Sequence, residues 1–186
     1  VPYNERPILR IAHRGASAYA QEGSTSSIYK AVELGSDTIE MDIRFTSDNV
    51  PVIFHDNTLK RVFGVDATIG DMDIATLKSI TPEGKEPILT FDEMVKLCKE
   101  VGVGLYLDIK EINTSGMEVV FDIVEKYGMF RHTIFASFRP DFVAEIKTHR
   151  PDAITSILFS SVHVQPVEIG RAVDADYVHP CYERYD

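Results

Sequence analysis

A chain of 186 residues with 44% hydrophobic content can fill one sizeable core but not two, so a single domain over 1–186 is expected. A formal net charge of -10 and a pI near 5.0 argue against a sequence-independent grip on nucleic acid or an anionic membrane, and leave any recognition of an anionic ligand to local groups. Two cysteines are too few for a disulfide framework, and no apolar run nears the ~18 residues of a membrane span, so stable membrane insertion is not expected.

Strand-like and helix-like segments alternate along the chain, the pattern of a parallel α/β core. Ile8 to Ala12 reads as a first strand, and Ser24 to Leu34 as a helix closed by Gly35. Thr38 to Phe45 alternates as a strand, Thr46 to Asn49 is a turn, and Val50 to Phe54 a second extended run. These two runs are too close for a crossover helix, so a hairpin joins them. Centring it on Ser47 and Asp48 sets Glu40 opposite His55. From Lys60 to Gly84 the only periodic piece is a short helix near Ile74 to Ile80. Thr90 to Val101 is a helix with Thr90 as N-cap, Glu93 at the capping-box position and Cys98 as a small core residue. Strands follow at Leu105 to Ile109, Thr133 to Ser137, Ile154 to Phe159 and Asp176 to His179. Helices lie between them at Gly116 to Tyr127 and Pro140 to His149, and the last connection is a short segment ending in Gly170-Arg171-Ala172. Apart from the hairpin's return arm, six strands can lie parallel. A closed (β/α)8 barrel needs eight and typically ~250 residues. Either the barrel is incomplete in this chain or the sheet is open.

The residues that carry chemistry cluster at strand ends, where an α/β scaffold displays its sites. Glu40 and Asp42 share one face of a strand, and two like charges held together raise each other's pKa or attract a cation. Such a pair is as readily a solvent-facing acidic patch. Asp108 and Lys110 also share a face, of an otherwise apolar strand, and alone are as readily a structural ion pair as part of a polar site. A third carboxylate favours a shared site for a hard cation, Mg²⁺ or Ca²⁺. His13 and His55 are candidates for a proton-transfer pair, Arg14 offers a planar fork for phosphate oxygens and Lys110 a point charge. His132, His149 and His163 have no such setting and read as surface residues, and His179 as a rim residue.

The stretches IAHRGASAYAQE, AVELGSDTIEMDIRFTSDNVPVIFHDNTLKR, EPILTFDEM, LYLDIK and ASFRPD resemble the glycerophosphodiester phosphodiesterases, metal-dependent hydrolases on a TIM (β/α)8 barrel. The likeness runs from Ile11 to about Asp141 and more weakly to His179-Pro180. It implies a TIM-type barrel truncated after about the sixth strand, its C-terminal part missing from this chain. It further implies that His13 and His55 are the acid–base pair, that Glu40, Asp42 and Asp108 bind one divalent cation, and that Arg14 and Lys110 bind the substrate phosphate. Glu22 belongs to the rim in the same way.

Three departures stand out. The family's PENT is Gln21-Glu22-Gly23-Ser24 here, Asp108 replaces a Glu, and the chain contains no Trp for the family's late pocket motif. The expected activity is hydrolysis of glycerophosphodiesters to an alcohol and glycerol phosphate, with a small-molecule substrate and no nucleic-acid partner. Two rivals remain. One is a phospholipase-type enzyme on lysophospholipid or inositol lipid, for which Val62-Phe63-Gly64-Val65 would be the membrane-docking segment. The other is a non-catalytic sugar-phosphate binding module. A cytoplasmic protein is expected; because the chain opens with Val1-Pro2 rather than Met, a removed leader and a secreted or periplasmic location stay open.

Overall fold

The computed structural model describes residues 9–111, 114–160 and 165–181, so Ile8 and His163 lie outside the described residues. Strands and helices follow in the order β1 (Ile11–His13), α1 (Thr25–Glu33), β2 (Thr38–Phe45), β3 (Pro51–Ile53), α2 (Lys60–Phe63), α3 (Ile74–Ser79), α4 (Phe91–Val101) and β4 (Gly104–Ile109). They continue as α5 (Thr114–Lys126), β5 (Thr133–Ser137), α6 (Pro140–His149), β6 (Ile154–Phe159), α7 (Pro166–Ala172) and β7 (Tyr177–Pro180). Six strands are parallel in the order β1-β2-β4-β5-β6-β7, while β3 pairs antiparallel with β2 off that path. Each parallel neighbour is the next in the chain, so every crossover steps the same way and the sheet curls. Among the described residues the sheet is an open arc of a TIM (β/α)8-type barrel.

Alternation gives the sheet two faces. Ile39, Met41 and Ile43 of β2, Leu105 and Leu107 of β4 and Phe135 of β5 are fully buried in the main core with α1, α4 and α5. The opposite, inner face carries Tyr106, Ile134, Ala136 and Leu158 in a smaller apolar cluster with Leu9, Ile11 and Ile154. On β1, β2 and β4 the next inward positions toward the strand ends are ionisable, so there the pleat that buries the core also delivers the site. No described helix is long and apolar enough to cross a membrane.

Local signals act as expected at α4, where Thr90 Oγ1 accepts from the Glu93 N–H and Glu93 Oε2 accepts from the Thr90 N–H at 2.8 Å. Two helices carry little periodic signal. α2 is a single turn, and α7 begins at Pro166 and contains Gly170, whose absent side chain lets Val178 approach (an added Cβ would lie 2.8 Å from Val178 Cγ2).

The hairpin differs from expectation by one residue. Its pairs are Ile43↔Ile53, Arg44↔Val52 and Phe45↔Pro51, centred on Asp48 rather than between Ser47 and Asp48. The loop closes with the Thr46 N–H donating to Val50 O at 3.1 Å and Asn49 at φ 64, a conformation asparagine tolerates better than most residues. Glu40 therefore does not face His55 across the hairpin. Regular pairing fades at Phe54, whose N–H donates to Asp42 O at 3.1 Å, and the chain then bends. That bend, not strand register, brings His55 to the site.

Candidate active site

Parallel register assembles the carboxylates. His13 on β1 pairs with Glu40 on β2, and Asp42 on β2 pairs with Asp108 on β4. One carboxylate oxygen from each of Glu40, Asp42 and Asp108 lies within 4.8 Å of the other two. The side chains are only 11, 4 and 6% exposed, respectively. Burial and the charge of Asp42 push the Glu40 carboxyl up to about 8. Burial likewise raises Asp108, against the opposing pull of Lys110. Asp108 Oδ1 is buried with no protein hydrogen-bond partner. A cluster of hard oxygen donors with one buried lone-pair atom left over fits a divalent cation, and three carboxylates without one would be costly. Asp108, shorter than the Glu it replaces, still reaches the other two.

Backbone turns position the cations. Arg14 at φ 55 and Gly15 at φ 73 are consecutive left-handed residues after β1. A Cβ on Gly15 would fall 2.3 Å from Ser27 Oγ, so only glycine fits. The turn aims the Arg14 N–H at Glu40 Oε2, 2.9 Å away. The guanidinium folds back over the acids, with Nε 3.2 Å from Asp42 Oδ2 and Nη1 3.5 Å from Glu22 Oε2. The Nε contact is close enough for charge attraction but not aligned for a hydrogen bond, leaving a second buried polar atom without a partner. Lys110 Nζ lies 2.9 Å from Asp42 Oδ1 and also contacts Asp108. Burial alone would lower Lys110, but the two aspartates outweigh it and hold it above its ordinary value.

The departures in Gln21-Glu22-Gly23-Ser24 have physical readings. Gly23 sits at φ 68, a conformation open to both glycine and asparagine. Ser24 N-caps α1, its hydroxyl accepting from the Ser27 N–H at 3.2 Å, as a threonine would.

His13, with its side chain 70% exposed, has Nε2 3.9 Å from Glu40 Oε2. Its covered part, together with the charge of Arg14, holds it below the usual histidine value. His55 Nδ1 is 2.7 Å from Asp56 Oδ1. An ionised carboxylate only accepts, so Nδ1 carries the proton and Nε2 is left for exchange. His55 and His13 are close enough for their charges to interact. His179 stands apart: its Nδ1 is 3.0 Å from the hydroxyl of Tyr106, one inward position before Asp108 on β4. His149 is exposed and His132 half-buried. Phe63 is buried edge-on to Phe54, so the Val62–Val65 stretch packs inward and offers no apolar docking segment.

Two arginines join the site that the sequence reading did not single out. Arg44 donates from Nε and Nη2 to the His55 carbonyl at 3.1 and 2.9 Å, and Arg61 binds both Asp56 and Glu22. Arg44 had a signal, since it continues the Glu40, Asp42 alternation. Arg61, on a one-turn helix, had no periodic signal and stood only as the last residue of a family-like stretch.

An arc of parallel barrel with buried carboxylates, two histidines and the basic side chains of Arg14 and Lys110 at its strand ends defines an α/β barrel whose acidic cluster could hold a metal ion. Comparison with known proteins narrows this. The model of the glycerophosphoryl diester phosphodiesterase family matches residues 13–181, and the chain belongs to that family. Human glycerophosphodiester phosphodiesterase 1 is 27% identical over 160 residues, covering 81% of this chain and 48% of that protein. The glycerophosphodiester phosphodiesterase of Caldanaerobacter subterraneus is 26% identical over 184 residues, covering 94 and 76%. The chain thus spans about half the length of the mammalian relatives it matches. Among solved structures, an Oleispira antarctica phosphodiesterase in complex with the product sn-glycerol-3-phosphate superposes with a TM-score of 0.83 at 25% identity, covering 96% of this chain and 77% of that one. A Thermotoga maritima glycerophosphodiester phosphodiesterase gives 0.79 at 27%, covering 96 and 76%.

Proposed function

We propose that this chain is one catalytic domain that hydrolyses glycerophosphodiesters to an alcohol and glycerol phosphate, using a divalent cation and a histidine pair. The observation that carries the reading is the buried triad of Glu40, Asp42 and Asp108 beside His13 and Arg14, with Asp108 Oδ1 unpartnered. These carboxylates would hold Mg²⁺ or Ca²⁺, and a cation there supplies positive charge against the negative charge that builds on the phosphoryl oxygens. Arg14 and Lys110 add to that charge. Both now lean on carboxylates, so a substrate phosphate competes with Asp42 for them. One histidine accepts the proton of the attacking nucleophile, which is either water or a glycerol hydroxyl whose cyclic phosphate water then opens, and the other gives a proton to the leaving alcohol. Binding alone needs no such pair, which weighs against a sugar-phosphate binding module. The sequence favours the cytoplasm as the compartment, with a secreted or periplasmic location left open.

A second substrate class has one observation in its favour. Human lysophospholipase D GDPD1 is 28% identical over 167 residues, covering 81% of this chain and 51% of that protein. The same assay separates the two. The protein is incubated with glycerophosphocholine, glycerophosphoethanolamine and lysophosphatidylcholine, with Mg²⁺ or Ca²⁺ and with excess chelator. Release of alcohol from the glycerophosphodiesters, abolished by the chelator, is the expected result. Release from the lysophospholipid alone moves the substrate class to lipids. No chelator-sensitive release from any of them overturns the enzymatic reading.

A further inference from the structure

We infer that Arg61 is a positioning residue that locks the ring of His55 through Asp56, a role that rests on the phosphodiesterase reading above. Arg61 lies on α2, whose neighbours fix its backbone. Leu59 and Phe63 are buried in a cluster with Val52, Phe54, Ile69 and Leu77, and the Phe63 and Phe54 rings meet edge-on at 5.8 Å. Gly64, at φ 72, closes the turn. The helix is therefore packed against the strand end that leads to His55.

From that anchor the guanidinium reaches two carboxylates at once. Nε donates to Asp56 Oδ2 at 2.6 Å, while Nη1 and Nη2 donate to Glu22 Oε2 and Oε1 at 2.8 and 2.5 Å. The other Asp56 oxygen accepts from His55 Nδ1–H at 2.7 Å. Asp56 alone could swing about its own side-chain torsions. With one oxygen on the imidazole and the other on a guanidinium that Glu22 grips in a fork, its plane is fixed, and with it the tautomer and tilt of His55. Arg44 holds the His55 carbonyl independently, so backbone and ring are restrained by different arginines. The bonds to Arg61 lower Glu22, and those from His55 and Arg61 lower Asp56 in spite of burial, so both acceptors stay ionised.

The arrangement is a poor investment in stability. Arg61 is 48% exposed, and ion pairs so exposed add little to folding. Its geometry makes sense as orientation of a proton-transfer group, where a small tilt costs rate.

The test uses the whole chain with Arg61→Gln, Asp56→Asn and the double variant, assayed on a glycerophosphodiester that the wild type hydrolyses. Arg61→Gln is expected to lower kcat by ~10–100-fold, with KM and Mg²⁺ affinity near wild type. The double variant should lose no more than Asp56→Asn alone, because both changes cut one linkage. A kcat within about twofold of wild type, or losses that multiply in the double variant, overturns the inference. Arg61→Lys serves if the Gln variant does not fold; an ammonium cannot span both carboxylates, so its kcat should fall as well. Nitrogen chemical shifts of the His55 ring provide a readout independent of turnover. They should report an Nδ1–H tautomer in the wild type and a mixed one in Arg61→Gln; identical shifts overturn the inference. If the wild type hydrolyses no diester, the phosphodiesterase reading fails on its own, and these shifts still decide what Arg61 does to His55.

Discussion

The two sides of the curved sheet are built alike and carry opposite inner faces. On β1, β2 and β4 the inward residues near the strand ends are His13, Glu40, Asp42 and Asp108, and buried acids meet Arg14 and Lys110. On β5, β6 and β7 the inward residues are Ile134, Ala136, Ser156, Leu158 and His179, an apolar floor with a hydroxyl–imidazole link through Tyr106. Apart from the exposed His13 and His179, both sides bury most of their inner face, yet only the first buries ionisable groups. A fold does not require three carboxylates within 4.8 Å of one another, and burying them costs free energy unless something compensates. The contrast marks the side where the proposed cation would offset that cost.

Substitutions on the two sides sharpen this contrast. The largest effect belongs to the charged side. His13→Ala should cut turnover by ~10²–10⁴-fold, the range of a lost general acid or base, with the melting temperature unchanged because the ring is mostly exposed. Near-wild-type turnover would remove His13 from the chemistry. The smallest effect belongs to the floor. Tyr106→Phe removes the hydroxyl bonds to Ser156 and His179 and should lower stability by about 0.5–1.5 kcal/mol, measured by urea denaturation, while turnover stays close to wild type. If Tyr106→Phe lost activity as His13→Ala does, the division between the sides would be broken and His179 would belong with the reacting groups.

Much of this was legible in the sequence, for reasons that name specific residues. The pleat puts Glu40 with Asp42 and Asp108 with Lys110 whatever the fold, and successive parallel strands of an α/β chain tend to be neighbours even across the long connection 46–103. Thr90 and Glu93 announced α4 because a capping box is local. The hairpin was misread by one residue because loop geometry, with Asn49 left-handed, sets register, and no residue pattern distinguishes a four-residue from a five-residue turn there. Hairpin register does not set Glu40 against His55; the chain bends after Phe54, and Arg44 holds the His55 carbonyl. Arg61 stayed hidden because its partners, Glu22 and Asp56, are 39 and 5 residues away in the chain. His179 was placed by its strand end, but which residue it would bond depended on the curl of the sheet.

The central claim is that Glu40, Asp42 and Asp108 form a cation site. Calorimetric titration of Mg²⁺ or Ca²⁺ into chelator-stripped protein across pH tests it most directly. Without a cation, the Glu40 carboxyl is raised from 4.5 to about 8 by burial and by Asp42, so its favourable contribution to folding is complete below 4.5 and lost as pH rises through about 8. A bound cation reverses that sign by favouring the ionised form. The account predicts one ion per chain, affinity that strengthens as pH climbs toward about 8, proton release on binding, and loss of the signal in Asp108→Asn. No binding at any pH, or equal affinity in Asp108→Asn, would contradict it.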